Sequence, residues 1–411
     1  MSETAPGHRA SLGFVFTVLL IDMLGFGIVI PVLPGLIMHL ANVPIARAAE
    51  YAGWLGAGYA ATQFVFAPII GNLSDRFGRR PVLLMAILAM AVDYLVQAVT
   101  PVFWWLIIGR LLAGMTGASF SAAYAYAADI TPPEKRATTF GTLGMAFGFG
   151  FVVGPALGGL LGTIGPRVPF IAASALAFAN FLFGALFLRE SLAPENRRAF
   201  DWRRANAFGA FKALRGQSAT VLWFAAALGF WQLAHTVYPS TWAYFAIDAY
   251  GFGPKQVGLA LASVGVSSAL VQGLGLRLLL PRVGYRAAVT IGIAGFCIAA
   301  LLYAVPNSAW LVWPAIAVGA LQGLIQPSIQ GLNSRAVDAA SQGELQGAVQ
   351  SVGSIAQIAG PPLYTESLAR FSGPGAWANL PAMPLLVAAG FALIAFALFL
   401  IGARKLSATL P

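Results

Sequence analysis

Three charged residues stand deep inside long apolar runs of this 411-residue chain: Asp22, Asp93 and Arg110. A charge at the centre of a bilayer costs about 2.5–3.5 kcal/mol, so an acid or base at that depth needs a partner and a purpose. At 1.5 Å per residue from the expected helix ends, Asp22 lies roughly 15 Å, Asp93 roughly 18 Å and Arg110 roughly 12 Å deep. In a hydrocarbon core about 30 Å thick, all three fall near the midplane. Two acids and one base in a partly dry place suit one kind of chemistry, the taking up and giving back of a proton. Depth alone pairs Asp22 with Arg110 and leaves Asp93 as the second acid. A carboxylate held by a guanidinium stays ionised, and desolvation favours its protonation once that pair is broken. A static role stays open for each: Asp22 and Arg110 as a packing pair, Asp93 as a packing or hydrogen-bonding residue.

The elements that must carry these residues follow from composition. The chain is 59% hydrophobic and 9% charged, with a mean hydropathy of +0.78. That is too apolar for a soluble protein of this length. The apolar runs are continuous and do not alternate at period two, which selects helices over a barrel. At about 20 residues per crossing the sequence predicts twelve spans: 12–38, 50–71, 81–99, 102–127, 137–163, 167–188, 217–245, 254–280, 286–305, 308–332, 344–366 and 381–403. They are numbered 1 to 12 here. Residues 189–216 are the one long hydrophilic connection, a cytoplasmic linker with seven basic residues (Arg189, Arg197, Arg198, Arg203, Arg204, Lys212, Arg215) that either orient the chain or touch anionic lipid. The expected division is 1–188, 189–216 and 217–411.

The net charge of +10 would point to nucleic acid in a soluble chain, but topology accounts for it better. With the N-terminus in the cytoplasm, 19 of the 24 Lys and Arg residues fall on cytoplasmic segments, four on outer loops and Arg110 within a span. Both termini are therefore expected in the cytoplasm and the chain in the plasma (inner) membrane, with no nucleic-acid partner. The first span reads as retained rather than as a cleaved signal. Cys297 is the sole cysteine, so an intrachain disulfide is excluded. No metal cluster, nucleotide loop or nucleophile constellation is present, so neither a cofactor nor catalysis is expected.

Residues 71–80, Gly-Asn-Leu-Ser-Asp-Arg-Phe-Gly-Arg-Arg, crowd Asp75, Arg76, Arg79 and Arg80 into a turn between spans 2 and 3. Such a turn must lie at a membrane surface. Asp129 closes span 4 on the same side, where Arg79 or Arg76 could reach it. Asp75 is the candidate anion for the free N–H groups that open span 11 near residue 344. These contacts would hold the cytoplasmic side closed, with topogenic charge as the alternative reading. Landmarks recur at an offset of 206 residues: Gly78 and Gly284, Gly117 and Gly323, Gly141 and Gly347, Gly154-Pro155 and Gly360-Pro361. The chain therefore contains two copies of one six-span unit. In the second copy Pro281 stands where Asp75 would, so the lock is expected to act from the first half.

Span 5 carries Gly150, Gly154, Pro155, Gly158 and Gly159. Glycines four apart give a smooth face, and Pro155 removes one backbone donor. The second half offers neutral polar groups: Gln232, His235, Thr236 and Tyr238 on span 7, Gln272 on span 8, and Gln322, Gln326 and Gln330 spaced to share one face of span 10. With Tyr59 and Gln63 on span 2 and Trp231 and Trp242 on span 7, they are expected to line a substrate cavity or to make interhelical hydrogen bonds. His235 is either a proton relay or an ordinary hydrogen-bonded histidine.

The pattern G-x-L-x-D-R-x-G-R-R between two apolar helices resembles the loop between helices 2 and 3 of the major facilitator superfamily. The G-x-x-x-G-P-x-x-G-G string resembles the helix 5 motif of its drug antiporters, and Arg110-x-x-x-Gly114-x-x-Gly117 is similar to that group's arginine motif. Residues 71–84, Asp93-Tyr-Leu, residues 109–118, Ala128-Asp-Ile-Thr, Phe140-Gly and Leu345-Gln-Gly resemble the bacterial tetracycline efflux pumps. The resemblance implies an all-α polytopic membrane protein of twelve transmembrane helices in two pseudo-symmetric six-helix bundles, with the substrate site near the midplane. It implies a proton-coupled antiporter that exports small amphipathic, drug-like compounds, tetracycline-like ones among them, and acts as a monomer on a small molecule and protons in a lipid bilayer. Asp22 and Asp93 match that family's acids on helices 1 and 3. Its pumps also carry a His in helix 8 and an Asp in helix 9, whereas spans 8 and 9 here hold no His, Asp or Glu. Coupling is thus expected from the first half. An uptake symporter or uniporter, or a membrane receptor on the same fold, remains the alternative.

Overall fold

A computed structural model describes residues 6–117, 119–202, 206–209, 217–334, 342–373 and 376–409, and among them there is no strand. Twelve long helices follow in order: α1 (Pro6–Val29), α2 (Ile45–Phe77), α3 (Arg79–Val99), α4 (Phe103–Asp129), α5 (Arg136–Gly162) and α6 (Val168–Phe187), then α7 (Ala219–Tyr250), α8 (Pro254–Leu278), α9 (Leu280–Tyr303), α10 (Ala309–Ser334), α11 (Gln342–Phe371) and α12 (Met383–Thr409). Ten of them are apolar and long enough to cross a membrane. The other two, α2 with 33 residues and α11 with 30, are long enough but carry more polar side chains. The protein is a multi-pass membrane protein. A short helix, Leu33–Ala41, continues α1 beyond a break at residues 30–32, with Pro31 inside the break and Pro34 in the first turn after it. Two missing N–H donors in four residues leave the α-helical ladder without closure there.

Some helices depart from regular geometry. A π turn, Val271–Gly275, interrupts α8 and a 3-10 turn, Ala320–Leu324, interrupts α10. Pro327 accounts for the second, since its ring displaces the carbonyl four residues earlier, that of Gly323. The face expected from the spacing of Gln322, Gln326 and Gln330 is therefore not one regular α-helical stripe. Nothing in the local sequence explains the π turn.

The chain forms two compact units. The first comprises Met1–Asn42, Gly58–Ala207 and Pro254–Ala262; the second comprises Val43–Ala57, Phe208–Gly253 and Ser263–Pro411. In the first, Val15, Leu19, Tyr126, Leu143 and Ala146 build a buried apolar cluster on α1, α4 and α5. In the second, Phe224, Phe296, Tyr364 and Phe399 are fully buried on α7, α9, α11 and α12. Each repeated Gly-Pro pair receives a close neighbour. A Cβ added at Gly258 would lie 2.4 Å from the Pro155 carbonyl oxygen, and one at Gly53 would lie 3.0 Å from that of Pro361.

Within the first unit α3 is gripped at both ends by the flanks of α6. Glu190 accepts from the N–H groups of Arg79 (2.8 Å) and Arg80 (3.3 Å) at its N-terminus. Arg167 donates to the carbonyls of Ala98 (3.2 Å) and Thr100 (3.0 Å) at its C-terminus. Both charges have the sign that the helix dipole favours, each worth about 0.3–1 kcal/mol. Between them Ser174 on α6 donates to the Ala91 carbonyl at 2.8 Å. Arg203, Arg204, Lys212 and Arg215 of the expected linker lie outside the described residues, as do residues 335–341 ahead of α11.

Candidate functional site

Asp22 and Asp93 are each 6% exposed and lie inside the first unit, but they do not share a cation. Arg110 pairs with Asp93, its Nη2 standing 3.7 Å from Oδ2. Gln97 bridges the two, donating to Asp93 Oδ2 at 2.6 Å and accepting from Arg110 at 3.0 Å. The expected Asp22–Arg110 pair is thus replaced. The reason is the α3–α4 hairpin: Asp93 and Arg110 stand about equally far from the turn at 100–102, which brings them to one level on adjacent helices. Gly109 makes the approach possible, because a Cβ there would lie 2.2 Å from Asp93 Oδ1.

Asp22 faces α6 instead. Asn180, fully buried, donates through Nδ2 to Asp22 Oδ1 at 2.9 Å and to the Val18 carbonyl at 3.0 Å. No cation partners Asp22 among the described residues. Asn180 did not emerge from the sequence reading, although a lone amide in an otherwise apolar span was the available signal.

The span 5 motif explains how α1 is held. Gly150, Gly154 and Gly158 form one stripe on α5, where added Cβ atoms would come within 2.4 Å of Met23 Cβ, 2.8 Å of Gly27 Cα and 2.0 Å of the Ile28 oxygen. The backbones of α1 and α5 meet there because the side chains are absent, the packing that small residues four apart allow. The Pro155 ring also lies against α1, 2.8 Å from a Cβ placed at Gly27, while its carbonyl and Gly159 face the start of α8. A Cβ at Gly159 would lie 2.6 Å from the Pro254 oxygen. Beside Asp22 on α1, Leu19 and Met23 join Tyr124, Leu143 and Phe147 around a mostly apolar cavity of about 170 Å³.

At the other end of α3 the charged turn closes on itself. Arg79, 9% exposed, reaches Asp75 at 2.5 Å, Asp129 at 3.2 Å and the Ser74 hydroxyl at 2.6 Å. Ser191 donates to Asp129 at 3.1 Å. Arg80 turns away and donates to the Ala185 carbonyl at 2.7 Å. Arg76 stays outside the cluster, exposed, with its guanidinium 5.0 Å from the centre of the Phe77 ring. The linker binds the same turn: the Arg198 N–H donates to the Asp75 carbonyl at 3.0 Å, and the Asn72 amide to that of Asp201 at 2.7 Å. Glu190 and Ser191 are functional candidates that the sequence reading assigned to the linker. The region near residue 344, where Asp75 was expected to dock, has no described side chain at Glu344.

The remaining candidates separate. Gln63 donates to the Tyr59 hydroxyl (3.5 Å) and to the Gly117 carbonyl on α4 (3.2 Å), so both polar groups of α2 are tied to α4. Trp231, 2% exposed, lies in the core of the second unit, edge-on to Phe296 at 5.3 Å and beside His235 at 5.8 Å. Trp242 is equally buried. Neither is a cavity wall in this conformation, because both rings pack against α9. His235 is exposed, and Gln232, Tyr238, Gln322 and Gln326 are half-buried. Gln272, on the π turn, packs on Gly323, whose added Cβ would lie 3.2 Å from Gln272 Cγ.

The profile of the Major Facilitator Superfamily matches the chain over residues 15–361 and again over 234–408. The class C tetracycline resistance protein of Escherichia coli is 38% identical over 345 residues, covering 84% of this chain and 86% of that protein. The class G protein of Vibrio anguillarum is 36% identical over 376 residues, covering 90% and 92%. Among solved structures, the human organic anion transporter MFSD10 superposes with a TM-score of 0.68 at 23% identity, over 96% of this chain and 100% of that one. Helices, charged turn, glycine stripe and relatives agree, and the chain belongs to the Major Facilitator Superfamily of membrane transporters.

Proposed function

We propose that this chain is a proton-coupled antiporter that exports small amphipathic, drug-like compounds through alternating access, with tetracycline as the first substrate to test. One observation carries the reading: among the described residues the first unit buries two carboxylates, Asp22 and Asp93, and a cation stands beside only the second. An ionised acid without a counter-charge is expensive away from water, so such a group takes up a proton instead. Asp93, held by Arg110 and Gln97, is the acid that stays charged and fixes α3 to α4. Asp22, held only by an amide, is the acid that takes and gives the proton. Its neighbours Leu19 and Met23 line the apolar recess on α1, α4 and α5, which suits one face of an amphipathic cargo. Occupation of that recess and protonation of Asp22 then both act on the same turn of α1, and exchange follows if each disfavours the other.

The Asp75–Arg79–Asp129 cluster, capped by Glu190, serves as the cytoplasmic latch of this cycle. Its parts are charged, partly exposed and close enough to form or break without unfolding a helix. The charge distribution supports cytoplasmic termini in the inner membrane, and the chain acts as a monomer without enzymatic activity or nucleic-acid binding. In proteoliposomes with an outward-directed proton gradient (acid inside), the wild type should concentrate substrate in the lumen against its gradient and Asp22→Asn should only equilibrate it. Active accumulation by Asp22→Asn would contradict the assignment. Dissipation of the gradient without any effect on wild-type flux would favour a uniporter.

A further inference from the structure

We propose that Asn180 is a positioning residue for Asp22, an amide whose orientation is locked so that it always presents N–H to the carboxylate. This builds on the reading of Asp22 as the coupling acid. The lock comes from the second bond. Nδ2 of Asn180 also donates to the carbonyl of Val18, and a backbone carbonyl can only accept. Flipping the amide would set oxygen against oxygen there, so Nδ2, and not Oδ1, faces Asp22. Val18 is the residue four before Asp22, whose carbonyl the Asp22 N–H meets in the helix. Asn180 therefore grips the side chain and the backbone of a single turn of α1.

The helix that presents Asn180 is bonded to α3 at three levels. Around α6, Arg167, Ser174 and Glu190 bond α3 at its C-terminus, middle and N-terminus. α1 packs on the α3–α6 pair through Phe14, whose ring lies 5.4 Å from Phe183 and 5.8 Å from Phe187, and is hydrogen-bonded to it through this amide, so a movement of α1 against that pair would withdraw the donor from Asp22. A hydrogen bond to the charged form favours that form, so its loss tightens proton binding. Other groups that could mask the effect are few. α5 and α6 carry no ionisable side chain between Arg136 and Phe187 except Arg167, which is engaged at the far end of α3. Tyr94 reaches α1 from α3, its ring 3.4 Å from a Cβ placed at Gly25, and Tyr124 reaches it from α4 across the recess.

The test compares wild type, Asn180→Leu and Asn180→Asp as full-length protein in proteoliposomes. A hydrophobic carbodiimide labels Asp22 in its protonated form, and mass spectrometry of the labelled peptide gives the midpoint of the labelling against pH. Asn180→Leu keeps the branched four-atom side chain and removes the donor, so its midpoint should rise by about one pH unit, a tenfold gain in proton affinity. Asn180→Asp should rise further, because two carboxylates at this distance share a proton. The pH dependence of transport should move with the labelling. A purely structural role would lower yield or rate and leave the midpoint in place, and an unmoved midpoint in folded Asn180→Leu overturns the proposal. Should Asn180→Leu fail to insert, Asn180→Ala gives the same reading. A midpoint that moves while the transport profile stays put supports Asn180 as the holder of Asp22 and refutes Asp22 as the coupling acid.

Discussion

At Gly78 and Gly284, 206 residues apart, the chain turns with the same backbone, φ 103° and ψ 159° in the first copy, φ 76° and ψ 168° in the second. Two residues later Arg80 donates to Ala185 on α6 at 2.7 Å, and Arg286 donates to Ala403 on α12 at 2.5 Å. Beyond that brace the copies differ. Asp75, Arg79 and Glu190 surround the first turn, whereas Pro281 and Tyr285 stand where Asp75 and Arg79 would, and Tyr285 packs on Gly331 of α10. The counterpart of Asp129, Arg335, lies outside the described residues. What both turns keep, the positive-φ glycine and the bracing arginine, belongs to folding. What the first alone shows among the described residues, the ionic cluster, is not needed to make such a turn, and this asymmetry is what marks it as the proposed latch.

The largest effect that sharpens this comparison is predicted for Arg79→Ala against Tyr285→Ala. The first leaves Asp75 and Asp129 without their shared cation at a cost of about 3 kcal/mol, the low end for a broken buried pair because both carboxylates are partly exposed. Transport should fall at least about tenfold, while Tyr285→Ala should stay within about twofold. Equal losses would erase the asymmetry. Next come the glycines. Any side chain at this φ and ψ costs about 1–3 kcal/mol in either copy. Only at Gly78 would the new Cβ also meet Glu190, 2.2 Å from Oε2, whereas at Gly284 nothing lies within 4 Å. Thermal unfolding in detergent should therefore show Gly78→Ala as the less stable of the two.

Glu190→Ala should cost about 1 kcal/mol through the lost cap on α3 and slow transport by less than Arg79→Ala. The smallest effect belongs to Arg76→Ala, which removes an exposed cation over Phe77 and should change stability by no more than about 0.5 kcal/mol. A large loss of transport in Arg76→Ala would return that residue to the latch.

Much of this was legible in the sequence, for physical reasons that also explain the rest. Apolar runs of about 20 residues in a chain of this composition have few other uses, so the helices could be placed. The Gly150-Gly154-Gly158 stripe announced a close helix contact, and α1 proved to be the partner. Depth along each helix is readable but direction around it is not, which is why Asp22 was paired with Arg110 although it faces α6. Counting residues from the turn at 100–102 would have put Asp93 opposite Arg110. Glu190 read as one more linker charge because its role depends on α6 returning to the start of α3, a long-range contact. Trp231 has the chemistry of a binding wall, and only packing against Phe296 and His235 shows it to be core.

The account rests on Asp22 as the group that exchanges a proton for cargo, and proton release tests it most directly. Purified protein in weakly buffered solution is mixed with tetracycline or with another compound it exports, and the pH change is recorded for wild type, Asp22→Asn and Asp93→Asn. Wild type and Asp93→Asn should release protons as substrate binds, and Asp22→Asn should bind substrate and release none. Release from Asp22→Asn equal to that of the wild type would contradict the central claim.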